Sequence, residues 1–238
     1  MGSDLQLGDI AVEVVLKDIK NVHLSVHPPT GRVRISAPSG TSPDAIRAFA
    51  VSKLDWIKKQ QHALQNQERE PVREFLERES HYIWGRRYLL AVVESNTPPS
   101  VELHHRRMAL NVRPGTSLEE RRAVVDQWYR DQIKKALPSL LTKWEPLMGV
   151  KAEQVFVRRM KTKWGSCNHK ARNIRLNTEL ARKPPECLEY VLVHEMAHLI
   201  EPTHNARFVA VMDQMMPNWQ SHRQVLNQLP IPQEMWLC

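Results

Sequence analysis

His194, Glu195 and His198 stand in the pattern HEMAH, two imidazoles four positions apart with a carboxylate directly after the first. Four residues make about one turn of an α-helix, so the two rings share a face. Two neutral imidazoles placed this way can chelate one zinc ion at about 2.0–2.1 Å. Glu195 can then reach water held at the metal without binding the metal itself. From there it would take the proton as the water attacks and return it to the leaving group.

His204 follows His198 after five intervening residues that include the helix stop Glu201-Pro202. The break lets the chain turn back and offer His204 as a third ligand, leaving a fourth position open as catalytic zinc sites require. A five-residue pattern with two free positions arises readily by chance, and here its surroundings lift it above that. Tyr190-Val191-Leu192-Val193 reads as the apolar run of a core helix, which three ionisable groups then interrupt. Burying them without a metal or other partners would be costly. The metzincin pattern HExxHxxGxxH has the same spacing, but Glu201 stands at its glycine and Met215-Met216-Pro217 makes no convincing Met-turn. In gluzincins the third ligand is an acid on a later helix, which makes Asp213 the alternative to His204.

Net charge is +8, and Arg158, Arg159, Lys161, Lys163, Lys170, Arg172 and Arg175 place +7 of it in the acid-free stretch 154–178. Such a field favours an acidic partner, a nucleotide or nucleic acid, with a solvated basic hairpin as the equal alternative. Arg158, Arg159, Lys161 and Lys163 can hold a substrate carboxylate or phosphate, although strand alternation would aim only half of them at one face. Trp164, Gly165 and Ser166, with Cys167, read as a loop between two strands, with glycine permitting a tight turn. Beside the metal this loop would shape a substrate groove, where an edge strand can hold an extended peptide. The plainer alternative has Trp164 pack the hairpin onto the helix. Cys167 reads as a packing residue, since no dedicated activating pair accompanies it. His169 and His222 read as surface residues, with oxyanion stabilisation as their other possible use. His104-His105-Arg106-Arg107 reads as an exposed strand end rather than a nucleic-acid patch.

The elements that must position these groups are legible in outline. Val22, Leu24, Val26 and then Val33, Ile35, Ala37 alternate with polar residues about the turn Pro28-Pro29-Thr30-Gly31, a hairpin with one buried face. Ser42 with Pro43 opens one helix running to about residue 65, with Ile46, Phe49, Leu54 and Ile57 towards a core. Short strands follow in 82–94 and 100–114. Ser117 and Glu120 form a capping box for a helix to about Leu147 that Pro138 should break or kink. Strands at 154–160 and 172–177 flank WGSC, Pro184-Pro185 opens the HEMAH helix, Glu201-Pro202 ends it, and a helix from about His204 to Met216 precedes a Pro-punctuated tail. The pattern is α+β, a β-rich region over 1–115 with one long helix, then a mostly helical domain over 116–238, and it contains no internal repeat.

Composition is that of an ordinary soluble domain, 42% apolar and 25% charged, with no apolar run approaching the roughly 18–20 residues of a membrane span. The N-terminus lacks the features of a secretory signal. Three cysteines form no disulfide framework, which suits a reducing compartment and makes the cytoplasm the expected location.

RRMKTKWGSC (158–167), IRLN (174–177), YVLVHEMAHLIEPTHNARF (190–208) and MPNW (216–219) resemble the YgjP-like metallohydrolase family in order and spacing. The match is strong over about 155–225. The resemblance implies a minimal zincin-like catalytic domain, distantly similar to SprT-like proteases, with one zinc per chain. Arg207-Phe208-Val209 departs from the Phe-Trp pair often seen after the third histidine, leaving the ligands intact. Members are generally described as metal-dependent proteases, and a UTP pyrophosphatase role has also been attached to the family. The leading expectation is a zinc metallopeptidase acting on peptide or protein. The alternatives are a nucleotide pyrophosphohydrolase and a nucleic-acid-associated protease or binding module.

Overall fold

The computed structural model describes residues 3–27, 30–66 and 69–232. Pro28-Pro29 of the expected turn and Cys238 lie outside the described residues. The fold is α+β, and the chain divides into two compact units, Met1–Glu70 with Pro230–Cys238, and Pro71–Leu229. The boundary expected at 115/116 falls inside the second unit. The reason is packing: Ile83, Leu90, Met108, Leu110 and Val112 share one core with Val125, Tyr129 and Ile133 of the helix that follows.

In the first unit, β1 (Ser3–Leu7), β2 (Ile10–Lys17), β3 (His23–His27) and β4 (Arg32–Pro38) form a sheet in the order β1-β2-β4-β3. The expected hairpin is β3–β4, with Val26 opposite Val33 and Leu24 opposite Ile35. Ser42 caps α1 (Pro43–Ser52) by accepting from the Ala45 amide at 3.3 Å. The long helix expected from there is two helices. Lys53 leaves helical backbone at φ −108° and its amide closes onto Ala50 O, after which α2 (Leu54–Asn66) begins. No glycine or proline announces that break in the sequence. Ile46 and Ile57 enter the core, with Phe49 and Leu54 at its margin. β5 (Arg69–Glu70) pairs in parallel with the short strand Ile231–Pro232.

The second unit opens with β6 (Ser80–Ile83), β7 (Arg86–Glu94), β8 (Ser100–His104) and β9 (Arg107–Val112), ordered β6-β7-β9-β8. In both four-stranded sheets the two central strands run parallel and each edge strand pairs antiparallel. The topology repeats although the sequence does not. Trp84 and Gly85, both at positive φ (50° and 76°), make the two-residue turn from β6 to β7. α3 (Leu118–Met148) starts at the expected capping box: Glu120 N donates to Ser117 Oγ, and Ser117 N to Glu120 Oε2. It does not break at Pro138 but runs through both Pro138 and Pro146. Ile133, Leu137, Trp144 and Met148 bury on either side of the prolines. Core contacts of that size, at roughly 2–5 kcal/mol per large side chain, offset about 3 kcal/mol per interior proline.

β10 (Gln154–Arg158), β11 (Gly165–Asn168) and β12 (Asn173–Asn177) form a three-stranded sheet in the order β10-β12-β11. Gly165, Ser166 and Cys167 are therefore strand, not loop: β11 pairs antiparallel with β12, Gly165 opposite Leu176. A 3-10 turn (Thr178–Arg182) leads to α4 (Pro185–Ala197), α5 (Ala206–Met215) and α6 (Trp219–Gln228). α4 stops at Ala197, before Glu201-Pro202. α5 starts at Ala206, because Asn205 Oδ1 accepts from the Phe208 amide at 3.0 Å and caps it there. That cap leaves His204 in the preceding turn. α6 occupies the region expected as tail, held by buried Trp219 and Leu226. Among the described residues no helix is long and apolar enough to cross a membrane.

The second unit carries a pH-sensitive element. His81 on β6 is fully buried; an Arg73 guanidinium nitrogen donates to its Nδ1 at 2.9 Å, and Nε2 faces Glu79 Oε1 at 2.9 Å. With Nδ1 held by a guanidinium, a second proton has no place on the ring. Burial, and then the charges of Arg73 and Arg182, push its pKa down to about 2. The unfolded chain binds a proton near pH 6.5 that the folded one refuses, so stability is full above that value and falls as pH drops. Denaturant unfolding at pH 7.5 and 5.5 is expected to show a loss approaching about 1.4 kcal/mol per unit below pH 6.5 from this group. His81→Gln is expected to reduce the measured slope by that amount, and an unchanged slope would contradict the assignment.

Candidate metal centre

α4 is apolar nearly all round: Cys187, Leu188, Tyr190, Val191, Leu192, Val193, Met196 and Ala197 are all buried. Such a helix belongs inside a core. Pro184-Pro185 sets its first turn. α3 holds it from the side, since Glu189 Oε1 accepts from Lys143 Nζ at 2.7 Å and from Trp144 Nε1 at 2.8 Å. His194 and Glu195 occupy its last turn, and His198 caps it with backbone still helical (φ −68°, ψ −14°), so the two rings keep their one-turn relation. Beyond His198 the chain turns back. His198 Nδ1 donates to Glu201 O at 3.1 Å, which leaves its Nε2 lone pair free. Glu201 Oε1 accepts from Thr203 N at 3.3 Å and Oγ1 at 3.0 Å, so a glutamate side chain stabilises the turn that delivers His204.

His194, His198 and His204 each offer a ring nitrogen, and the three lie within 4.8 Å of one another. His194 Nε2 and His204 Nε2 are 3.0 Å apart, near the ~3.3 Å separating two tetrahedral ligands bound at 2.0–2.1 Å. Phe208, 2% exposed, lies under all three rings with centroids at 4.9, 4.7 and 4.7 Å. Burial first, then the charges of His198, His204 and Arg223, push His194 down to about 3. Burial also lowers His198 and His204. All three are thereby held as neutral imidazoles, the ligand form. His194 Nδ1 is buried with no hydrogen-bond partner among the described residues. Convergent neutral nitrogens over an apolar floor fit a divalent metal with nitrogen donors.

Glu195 is 6% exposed, and burial pushes its pKa up to about 8 against the opposing charge of Lys163. It packs against β11 so closely that a Cβ on Gly165 would stand 2.6 Å from its Oε1. Cys167 on the same strand is pushed up to about 11, by burial and then by the Glu195 charge. A thiol so held stays protonated, as expected of a packing residue.

Of the basic and loop residues read as substrate-binding, Gly165 and the charge of Lys163 come to Glu195. Trp164 packs partly buried against the core. Ser166, half-buried, faces Arg175 across the sheet. Arg158 lies on β10, the strand farthest from β11, and Arg159 pairs with Asp126 of α3 at 3.8 Å. Lys161 is exposed between β10 and β11. Of these cations, only Lys163 is seen to act on Glu195. Asp213, the alternative ligand, accepts from Trp219 Nε1 at 2.7 Å and is not in the histidine cluster. His169 sits close enough for its charge to act on His198, whereas that of His222 acts on Glu189. His104 and His105 lie at the exposed β8–β9 turn.

Sequence reasoning named Phe208 only within the Arg207-Phe208-Val209 departure and assigned no role to Asn177 or Arg223. The apolar residue four positions after His204 was the signal for Phe208. Asn177 and Arg223 offered none, since their roles depend on strand and helix packing.

Residues 20–229 match the family described as YgjP-like, metallopeptidase domain. Two solved structures are similar to part of the chain. The metallopeptidase zymogen of Pyrococcus abyssi abylysin is 20% identical, with 42% of this chain and 98% of that one covered and a TM-score of 0.36. The metallopeptidase zymogen of Methanocaldococcus jannaschii jannalysin is 20% identical, with 42% and 94% covered and a TM-score of 0.31. No curated protein matches significantly. With the family match spanning all of α4 and the histidine cluster, this chain belongs to the YgjP-like metallopeptidase domain family.

Proposed function

We propose that the protein is a zinc metallopeptidase in which His194, His198 and His204 hold the metal and Glu195 carries the proton. The observation that carries the reading is the convergence of three neutral imidazole nitrogens within 4.8 Å, with a buried carboxyl following the first of them on α4. Three nitrogen donors, with no fourth protein ligand among the described residues, match catalytic rather than structural zinc sites. Zinc bound there supplies Lewis-acid polarisation of a carbonyl oxygen and acidifies water.

The rest is done by the chain's own groups. Glu195, as the carboxylate, takes a proton from water as that oxygen adds to the scissile carbonyl carbon. It then delivers the proton to the departing amine nitrogen as the C–N bond breaks. β11 is an edge of its sheet, and its free backbone groups suit an extended peptide lying antiparallel or parallel to it. The placement of Arg158, Arg159 and Lys161 gives no support to a phosphate clamp.

Two outcomes are expected. Zinc at 1,000 times its Kd contributes about 4 kcal/mol, which raises Tm by roughly 8–16 °C. Substituting any one of the three histidines by alanine is expected to abolish most of that rise; a full rise in His204→Ala would exclude it as ligand. Glu195→Ala is expected to keep one zinc per chain and lose roughly 10²–10⁴-fold in peptide turnover. Wild-type turnover in that variant would sink the proposed mechanism.

A further inference from the structure

Gly165 lies on β11 with the side chain of Glu195 packed against its Cα. A methyl group at 165 would lie 2.6 Å from Glu195 Oε1, 2.8 Å from Glu195 Cγ and 2.9 Å from Val191 Cγ1, all well inside van der Waals contact. Gly165 is in ordinary strand backbone and not at positive φ. On local grounds alanine would therefore be preferred at this position. The glycine is needed for space.

Neither wall of this contact is free to withdraw. Asn177, fully buried, pins the entry to β11. Its backbone amide donates to Trp164 O at 2.8 Å, and its side-chain amide donates to Lys163 O and Met160 O, both at 2.8 Å. On the other side α4 is buried over Val191, Leu192, Val193 and Met196 and tied to α3 through Glu189. The Glu195 side chain is the group able to move.

We propose that Gly165 is a positioning residue for Glu195: the space left by its missing side chain is the slot that holds the carboxyl beside the histidine cluster. Asn177 fixes the depth of that slot by holding the strand in place. The inference rests on the reading of Glu195 as the proton carrier, and it assigns the aim of that carboxyl to β11. It also accounts for a small residue between bulky Trp164 and the rest of the strand, where neither a turn nor a left-handed conformation requires one.

The test is a double-mutant cycle on the full chain: wild type, Gly165→Ala, Glu195→Ala and the double variant. Tm, zinc per chain, and kcat and KM on a peptide that the wild type cleaves are measured for each. Gly165→Ala is expected to lower Tm by roughly 5 °C in the wild-type background and by less than half as much when Glu195 is already alanine. Zinc content and KM are expected to be unchanged, while kcat falls about 10²-fold, the effect of moving a reacting group by about 1 Å. Equal Tm losses in both backgrounds, or a wild-type kcat in Gly165→Ala, would overturn the proposal. If Gly165→Ala folds poorly, the double variant decides instead: with the carboxyl gone it is expected to fold with a Tm near that of Glu195→Ala, and a double variant that folds no better than Gly165→Ala would overturn the proposal. Should Glu195→Ala itself keep full turnover, the proposed chemistry fails, and the Tm cycle still decides whether residue 165 sets the Glu195 side chain.

Discussion

Placing a carboxyl and an imidazole in the last turn of a largely apolar, buried helix is expensive unless something receives them. Glu195 is 6% exposed, and His194 Nδ1 is buried without a partner among the described residues. The surrounding structure therefore has to hold these groups convergent and in fixed positions. Each neighbouring element meets one part of that requirement. Phe208 provides a floor against all three imidazoles, Glu201 shapes the turn that returns His204, and β11 presses on Glu195 from the side. The site joins a buried carboxyl to three imidazoles, two half-buried and one exposed, in a packed frame that fixes their relative positions.

Rigidity originates further out. α3 runs unbroken for 31 residues and ties to α4 through Glu189. Its Tyr129 hydroxyl donates to Tyr82 O at 2.9 Å, and the Arg182 guanidinium lies 4.6 Å over the Tyr129 ring. The sheet of β6–β9, the long helix and the 3-10 turn are thus joined in one core with α4. This continuity explains why the second unit begins near residue 71 rather than at the start of α3.

The site was more legible in the sequence than the fold around it. Helical spacing alone placed His194 and His198 on one face, and a Glu-Pro stop was enough to foresee His204 returning. The hairpin of β3–β4 and both serine caps followed from alternation and capping chemistry, which are local. What sequence could not give was set by contacts distant along the chain. The break at Lys53 has no glycine or proline to mark it, and Pro138 sits in an intact helix because buried residues on both sides hold it. Gly165 signalled a turn by its type, whereas its use is close approach to a side chain thirty positions later. The basic stretch left an acidic partner and a solvated hairpin equally open, because charge density along the chain says nothing about convergence; Arg159 turns to Asp126.

The central claim is that three imidazoles, and neither Glu195 nor Cys167, bind the metal. X-ray absorption at the zinc edge of the loaded protein tests it most directly. The account predicts three imidazole nitrogens at about 2.0–2.1 Å with one further light atom. A sulfur scatterer at about 2.3 Å, or a site with fewer than three imidazoles, would contradict it.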